Sequence, residues 1–308
     1  MDRIDRRGFL ECMAWVGTGL VWTATGGVLS SRLITEASAA DAAAGSFNFV
    51  QISDTHIGFK GEANKDAAAT LQQVVDRVNA LRPAPAFVLH TGDQTHGQKA
   101  GAFDTVAEIL KGLKTERIFY VPGEHDVFLD GGKEYLGRYG KGTVEGRGWQ
   151  SFDYKGTHFL GLVNVLKYKG EGMGSLGDEQ LKWVEQDVAP LSSSTPVVVF
   201  AHVPLWAVYP QWGWTTEDAE SALASLRRFG SVTVLNGHIH QVLRKVEGNV
   251  SFHTAMSTAF PQPTPGTAPS AGPMKVPADQ LQQVLGITDV NYVVSGRSLA
   301  VVDSPLGA

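Results

Sequence analysis

Short apolar runs alternate with longer amphipathic stretches along the chain from residue 47 onwards. The runs are rich in β-branched and aromatic residues and are bounded by polar or glycine-containing segments, which is the pattern of strands. They lie at residues 48–52, 86–90, 117–121, 196–200 and 232–235. The alternation predicts a layered α/β architecture.

Residues 64–81 give the clearest predicted helix. Within this stretch Leu71, Val74, Val75 and Val78 recur at i, i+3, i+4 and i+7, so they share one helical face, and a proline follows at position 83. The same kind of apolar spacing predicts three more helices, at residues 102–113, 177–188 and 216–229. These helices would lie outside the sheets.

Two hairpins and an irregular tail complete the predicted elements. Lys155-Gly156 separates one pair of strands, at residues 149–154 and 157–163, and Glu247-Gly248-Asn249 separates another, at 241–246 and 250–253. Residues 260–279 are rich in Pro, Ala, Gly and Thr, which predicts an irregular surface segment before a short helix and a final strand at 292–303. This tail is expected to cover one sheet edge.

The composition is that of a soluble globular enzyme with no strong affinity for polyanions. The 308 residues are 43% hydrophobic and 19% charged, and the net charge is −5. Nucleic acids are bound through clusters of Lys and Arg, so the acidic balance argues against a nucleic-acid partner. The single cysteine, Cys12, lies in a segment expected to be removed, so any metal would need nitrogen and oxygen ligands.

The N-terminal 40 residues look like a twin-arginine signal peptide. Arg6-Arg7 is followed by Phe9, by a moderately apolar stretch and by small residues at 37–40, although Glu11 stands where a basic residue is usual. A membrane anchor is the alternative, but threonines and glycines interrupt the apolar stretch, and no stable span is expected in the mature form. We therefore expect the twin-arginine export machinery as a partner and a periplasmic or secreted product. Residues 41–308 would form a single domain, with 260–308 as an extension that packs on the core.

Metal-binding residue types follow the ends of the five predicted strands. Asp54-Thr55-His56, Gly92-Asp93, Gly123-Glu124-His125-Asp126, Ala201-His202 and Gly237-His238-Ile239-His240 are the five fragments. In open α/β sheets, ligands bind in the crevice outside the carboxyl ends of the strands. The layout is that of a two-metal hydrolase.

The order and spacing of these fragments resemble the calcineurin-like metallophosphoesterase superfamily, whose pattern reads D-x-H, G-D, G-N-H-[DE], H and G-H-x-H. The resemblance implies a four-layer αββα sandwich of two mixed sheets flanked by helices. It assigns one metal to Asp54, His56, Asp93 and His240, and the other to Asp93, Glu124, His202 and His238. It also implies that His125 protonates the leaving group, and Asp126 is expected to hold the His125 imidazole in the useful tautomer.

The resemblance implies two metal ions, Fe, Mn or Zn, in an exported phosphoesterase. Asp93 would bridge the ions and offset their mutual repulsion, and a shared hydroxide would attack a small-molecule phosphomonoester or phosphodiester. Two alternatives remain open: an altered site with non-phosphoester hydrolysis or redox chemistry, and a non-catalytic, metal-stabilised binding scaffold. His125 argues against the scaffold, which would not need a general acid.

Glu124 is the one departure from the pattern, which has Asn at this position. Three carboxylates and one hydroxide cancel two divalent ions, whereas the Asn pattern would leave one positive charge. This predicts either a mixed Fe(III)-M(II) centre or a phosphodiester substrate with less charge. A site that holds a single metal is a third interpretation.

Several further residues have ambiguous patterns. His96 lies three residues after Asp93, where the purple acid phosphatases of the superfamily have a tyrosine ligand, and it either touches the site or caps a loop. The aromatic residues between 206 and 214 either stack a substrate ring or pack as a lid, and the basic, glycine-rich segment 130–148 is interpreted as a mobile loop. The remaining histidines in strand-like runs are expected to be packed or at sheet edges: His90, His158 and His253.

Overall fold

The computed structural model describes residues 20–25, 28–33, 46–115, 117–167, 173–293 and 298–307. The strands β1 (Leu20–Thr25) and β2 (Val28–Leu33) pair with each other as a separate antiparallel hairpin. The twin-arginine pair and the small residues at 37–40 lie outside the described residues, so the signal peptide stays a prediction. Among the described residues, no helix is both long and apolar enough to cross a bilayer.

One sheet has five strands in the order β13-β12-β3-β4-β5. They are β3 (Phe47–Ile52), β4 (Val88–His90), β5 (Ile118–Tyr120), β12 (Gly286–Val293) and β13 (Ser298–Pro305). The strands β3, β4 and β5 run parallel, with Val50 opposite Val88 and Val88 opposite Ile118, while β12 runs antiparallel to β3. The C-terminal segment therefore covers the β3 edge, but it does so with two strands instead of the single predicted one.

The other sheet has six strands in the order β10-β11-β9-β8-β7-β6. They are β6 (Gln150–Tyr154), β7 (Thr157–Gly161), β8 (Val197–Ala201), β9 (Val232–Asn236), β10 (Arg244–Glu247) and β11 (Val250–Thr254). The strands β7, β8, β9 and β11 are parallel, and the two predicted hairpins supply the antiparallel edge strands β6 and β10.

The two sheets pack face to face, with helices outside. The side chains between the sheets include Phe49 and Phe87 from one sheet and Phe159 and Phe200 from the other, all fully buried. The helices α1 (Ala67–Ala80) and α2 (Ala102–Leu110) cover the five-stranded sheet. The helices α4 (Asp178–Val188) and α5 (Ala219–Leu226) cover the six-stranded sheet. The predicted αββα sandwich is confirmed.

Local sequence explains the best-defined helix. The N-cap residue of α1 is Asp66, whose carboxylate accepts a hydrogen bond from the Ala69 amide at 3.0 Å. The predicted apolar face, represented by Leu71 and Val78, is buried against the sheet. The helical spacing of these apolar residues thus explains how α1 packs on the sheet.

The segment at 130–148 is not the predicted loop. It contains α3 (Lys133–Tyr139) and a 3₁₀ turn (Val144–Gly146), and two of its cations are paired: Arg138 lies 2.7 Å from Asp104, and Arg147 contacts Glu179. The interpretation as a loop rested on the glycines and charges of this segment, whereas the helix is stabilised by the burial of Tyr135 in a small apolar cluster. A short helix α6 (Leu281–Val284) precedes β12.

Candidate metal centre

The five ligand-bearing fragments lie directly after β3, β4, β5, β8 and β9. Their side chains meet across the two sheets: His202, after β8, has its Nε2 3.5 Å from Asp93 Oδ2, after β4. The backbone is also joined there, because the His238 amide donates to both oxygens of Asp54, at 3.1 and 3.2 Å. The carboxyl ends of the parallel strands thus form one shared crevice.

Unusual backbone angles turn the side chains toward this crevice. Five of the predicted ligands have a positive φ, which costs about 1–3 kcal/mol for a residue with a Cβ. They are Asp54 (55°), His56 (42°), Asp93 (51°), His238 (71°) and His240 (54°). Such strain persists where the surrounding structure determines the geometry, and it is common at functional sites.

Two glycines of the fragments are required by close approach. A Cβ at Gly123 would overlap the Asp93 carboxylate, and a Cβ at Gly237 would overlap the Ser53 hydroxyl. These glycines let neighbouring ligand loops come into direct contact.

One group of potential ligands comprises Asp54, His56 and His240, which we call the first triad. The Nε2 of His240 lies 3.2 Å from Asp54 Oδ1 and 3.2 Å from the Nε2 of His56. One ligand atom from each residue lies within 4.8 Å of the others, and all three residues are buried. This spacing fits a single cation.

A second group comprises Glu124, His202 and His238, which we call the second triad. Glu124 lies between the two imidazoles, with Oε2 2.9 Å from His202 Nε2 and Oε1 3.1 Å from His238 Nδ1. Asp93 joins the triads, because its Oδ2 is 3.5 Å from both His56 Nε2 and His202 Nε2. The arrangement has room for two cations on either side of one carboxylate.

Backbone carbonyls hold the rings of two of the histidines on the side away from the ligand atoms. His202 Nδ1 donates to the Thr91 carbonyl at 2.7 Å, and His240 Nδ1 donates to the Phe260 carbonyl at 2.6 Å. Both Nε2 atoms are thereby left as acceptors for a metal. His56 differs, since its Nδ1 faces Nδ1 of His96 at 3.2 Å.

Several buried polar atoms of the second triad lack a well-formed hydrogen bond. Among the described residues, Glu124 Oε2, His202 Nε2 and both ring nitrogens of His238 are buried without a hydrogen bond of proper geometry. Buried polar atoms are normally paired, and metal coordination is one way to satisfy them. The residues present therefore fit a bound metal.

The charges around the second triad favour a cation. Burial raises the pKa of Glu124, but the adjacent His238 and His202 outweigh it and hold the pKa well below its ordinary value. Burial lowers the pKa of His202, yet Asp93 and Glu124 raise it well above its ordinary value. The Glu124 carboxylate thus stays ionised, and it draws positive charge into the crevice.

The sequence comparisons agree with this geometry. The sequence profile of the calcineurin-like phosphoesterase domain matches residues 47–242. The chain belongs to the calcineurin-like phosphoesterase family. The superfamily resemblance and the prediction of a metallophosphoesterase are therefore confirmed.

Similar proteins include two bacterial enzymes and one solved structure. A probable cyclic nucleotide phosphodiesterase of Rhodopseudomonas palustris is 28% identical over 213 residues, which cover 67% of this chain and 76% of that protein. A probable glycerophosphodiester phosphodiesterase of Arcobacter nitrofigilis is 28% identical over 229 residues, covering 68% and 77%. The crystal structure of a dimetal phosphatase from Danio rerio is 16% identical, covers 83% of this chain and 98% of that chain, and has a TM-score of 0.61, which shows the shared fold.

Asp126 does not hold the His125 imidazole, contrary to the prediction from the sequence. Its buried carboxylate accepts hydrogen bonds from the amides of Gln94, Thr95 and Gly123, at 2.9–3.0 Å. Among the described residues, His125 Nδ1 has no hydrogen-bonding partner. Asp126 therefore joins the Asp93 loop to the Glu124 turn, and the expectation that it orients the His125 ring is wrong.

His125 lies beside both triads. Its amide donates to Asp93 Oδ1 at 2.9 Å, and its ring is edge-on to His56, with centroids 5.0 Å apart. The ring of His96 stacks on it at 4.8 Å. His96 thus lies at the site, which the sequence left open.

Two other contributors to the site could not be recognised from the sequence pattern. Phe260 is buried, stacks on His56 and tilts against His240, both at 4.7 Å between centroids, and supplies the carbonyl for His240. Gln262 donates to the His238 carbonyl at 2.8 Å. The segment predicted to be irregular surface is therefore buried at residues 260–262, although 263–280 are mostly exposed.

The remaining histidines are packed within the sheets, as expected. His90 is fully buried on β4, His158 lies 2.8 Å from both Asp153 and Asp187, and His253 lies 2.9 Å from Asp303. The aromatic stretch after His202 is packed at Trp214, which is 1% exposed, whereas Trp212 is half-buried. That the stretch stacks a substrate ring stays a prediction.

Proposed function

We propose that this protein is a binuclear metal-dependent phosphoesterase that hydrolyses a small phosphodiester or phosphomonoester. The observation that carries the proposal is the pair of largely buried triads that meet at the single oxygen Asp93 Oδ2. One cation would bind the first triad, the other would bind the second, and Asp93 would serve both. Iron, manganese and zinc all suit the mixed carboxylate and imidazole ligands.

When bound, the two ions would polarise the phosphoryl group and make a water molecule more acidic. The protein holds the ligands rigid: Thr91 and Phe260 fix two imidazoles, and Asp126 fixes the loops that carry Asp93 and Glu124. Rigid ligands lower the cost of reorganisation during the reaction.

His125 is the proposed general acid. An imidazole titrates near neutrality, so it can give a proton to the departing oxygen. It lies beside His56 and Asp93 and is half-buried, which supports this role. The protein leaves Nδ1 of its ring unpaired among the described residues.

Glu124 favours a diester over a monoester. It adds a carboxylate to a site that already has Asp54 and Asp93, and a dianionic monoester would be repelled more than a monoanionic diester. The names of two relatives, a cyclic nucleotide phosphodiesterase and a glycerophosphodiester phosphodiesterase, support the same choice. A mixed Fe(III)-M(II) centre is the alternative way to offset the negative charge that Glu124 adds. A metal analysis that finds only divalent ions would exclude it.

The test combines metal content with activity. The protein purified with its native metals should contain two ions per chain and hydrolyse bis-p-nitrophenyl phosphate faster than p-nitrophenyl phosphate. His125→Asn should lower kcat about 10²–10⁴-fold, the usual contribution of general acid catalysis, with both ions retained. Two bound ions without turnover of either ester would contradict the proposal and favour the scaffold or another chemistry.

We also propose export through the twin-arginine route, on the strength of the N-terminal sequence alone. Arg6→Lys together with Arg7→Lys should retain the precursor in the cytoplasm, and N-terminal sequencing of the exported wild type should begin near residue 41. Unchanged export of the double variant would contradict this.

A further inference from the structure

Two consecutive large apolar residues are exposed close to the turn that carries Glu124 and His125. Phe128 is 59% exposed and Leu129 is 62% exposed, and Val127 separates them from the Glu124–Asp126 turn. Val246 is comparably exposed, at 73%, but it lies on the edge strand β10. Single exposed apolar residues are ordinary on protein surfaces, so exposure alone indicates nothing.

The position of Phe128 relative to His125 is what distinguishes it. The two rings are perpendicular, at 89°, with centroids 6.2 Å apart. Phe128 also borders the loop that carries His96, because a Cβ at Gly97 would lie 3.8 Å from the Phe128 ring. The exposed ring therefore stands beside the proposed general acid.

The backbone under these two side chains is fixed. The Phe128 amide donates to the Glu124 carbonyl at 3.1 Å, and the Leu129 amide donates to Gln98 Oε1 at 2.8 Å. The Gln98 side chain also donates to Asp130 Oδ1 at 2.8 Å. Gln98 itself has a φ of 51°, an unfavourable angle for a residue with a Cβ.

Asp130 extends this fixation toward α3. Its carboxylate accepts from the amides of Gly132 and Glu134, both at 2.8 Å. The exposed pair therefore belongs to a loop that is hydrogen-bonded on both sides, and it presents an apolar surface in a fixed place. A preformed surface binds a ligand without first having to be ordered.

We propose that Phe128 and Leu129 form a subsite for the leaving group of the ester, and that this leaving group carries an aromatic or heteroaromatic ring. The inference rests on the proposed function, because a general acid must lie beside the oxygen that it protonates. The surface next to His125 therefore faces the leaving group. An exposed phenyl ring offers edge-to-face contact to a second ring at centroid distances of about 4.5–7 Å.

The kinetic test uses Phe128→Ser and Leu129→Ser, with Val246→Ser as the matched control at an exposed position remote from His125. The two substrates are bis-p-nitrophenyl phosphate, whose leaving group is a ring, and glycerophosphocholine, which has none. Phe128→Ser should lower kcat/KM for the aryl ester about tenfold, mainly through KM, as expected for the loss of one ring contact and its buried area. Its effect on glycerophosphocholine, and that of Val246→Ser on both esters, should stay within about twofold.

A binding measurement separates this inference from the proposed function. Calorimetry on the metal-loaded protein should show that Phe128→Ser lowers the affinity for phenylphosphonate about tenfold and leaves the affinity for methylphosphonate unchanged. This comparison needs no turnover, so an inactive wild type would contradict the proposed function while the subsite could still be measured. Equal effects of Phe128→Ser on the ring-bearing and ring-free ligands, or no effect on either, would overturn the subsite.

Discussion

The first and second triads are supported by different kinds of contact. In the first triad, His56 and His240 both pack against Phe260, at 4.7 Å between ring centroids, and Asp54 is fully buried. In the second triad, the Glu124 carboxylate lies between His202 and His238, and its side chain is 16% exposed. The first triad therefore has apolar packing in addition to its Asp54–His240 contact, whereas the second triad is supported mainly by opposite charge.

This difference separates two ways to position metal ligands. A ring stacked against two imidazoles limits their rotation whether or not a cation is present. A carboxylate between two imidazoles depends on charge, so its geometry depends more strongly on what is bound. We therefore expect the first triad to be the more preorganised in the metal-free protein, and the second triad to respond more to changes in charge.

The largest effect should come from Asp93→Asn, because Asp93 is shared by the two triads. The loss of this carboxylate should weaken the binding of both ions and lower kcat/KM by about 10³-fold or more. Metal ions supply several kcal/mol of transition-state stabilisation, and each 1.36 kcal/mol corresponds to about a tenfold change in rate. Metal content after dialysis and hydrolysis of bis-p-nitrophenyl phosphate measure the two losses.

Asp104→Asn is the matched control for that change, because the Asp104 side chain is 72% exposed and is paired with Arg138. It should leave both readouts unchanged. If Asp93→Asn removed only one ion, Asp93 would belong to one triad, and the comparison would become one between independent sites.

A smaller and one-sided effect is expected at His96. His96→Ala removes the partner of His56 Nδ1, whereas His96→Asn keeps a polar atom near that position. Partners of this kind typically contribute 10–100-fold to metal affinity, so His96→Ala should weaken the ion at the first triad by about that factor. Stepwise metal titration by calorimetry should show partial recovery in His96→Asn and an unchanged second ion in both variants. Equal weakening of the two ions would contradict the separate support of the triads.

Much of this organisation was predictable because it is local in sequence. The strand before each ligand fragment can be recognised from its apolar residues, and α1 from the period of Leu71, Val74 and Val78. The ligand residues could be located because metal-binding residue types immediately follow strands whose carboxyl ends meet. The αββα layers then followed from the alternation of elements and from the resemblance.

The errors concern contacts between distant parts of the chain. The burial of 260–262 depends on partners such as Asn64, which donates to the Ala259 carbonyl, and on Ser257, which donates to the Asp54 carbonyl. A segment rich in proline and threonine shows no periodicity that would reveal such partners. Asp126 was misjudged for the same reason, since its hydrogen-bond donors Gln94 and Thr95 lie about 30 residues earlier in the chain.

The smallest predicted effect tests whether charge distinguishes the second triad. Glu124→Asn restores the residue of the superfamily pattern and raises the charge of the site by one unit. A dianionic monoester should gain more from this than a monoanionic diester, so the ratio of kcat/KM for p-nitrophenyl phosphate to that for bis-p-nitrophenyl phosphate should rise about tenfold at saturating metal. Glu62→Asn is the matched control, because its side chain is 66% exposed and paired with lysines on the surface. Added salt should reduce the shift only weakly, since Glu124 is largely buried. An unchanged ratio would mean that packing, not charge, governs the second triad as well, and the contrast between the two triads would disappear.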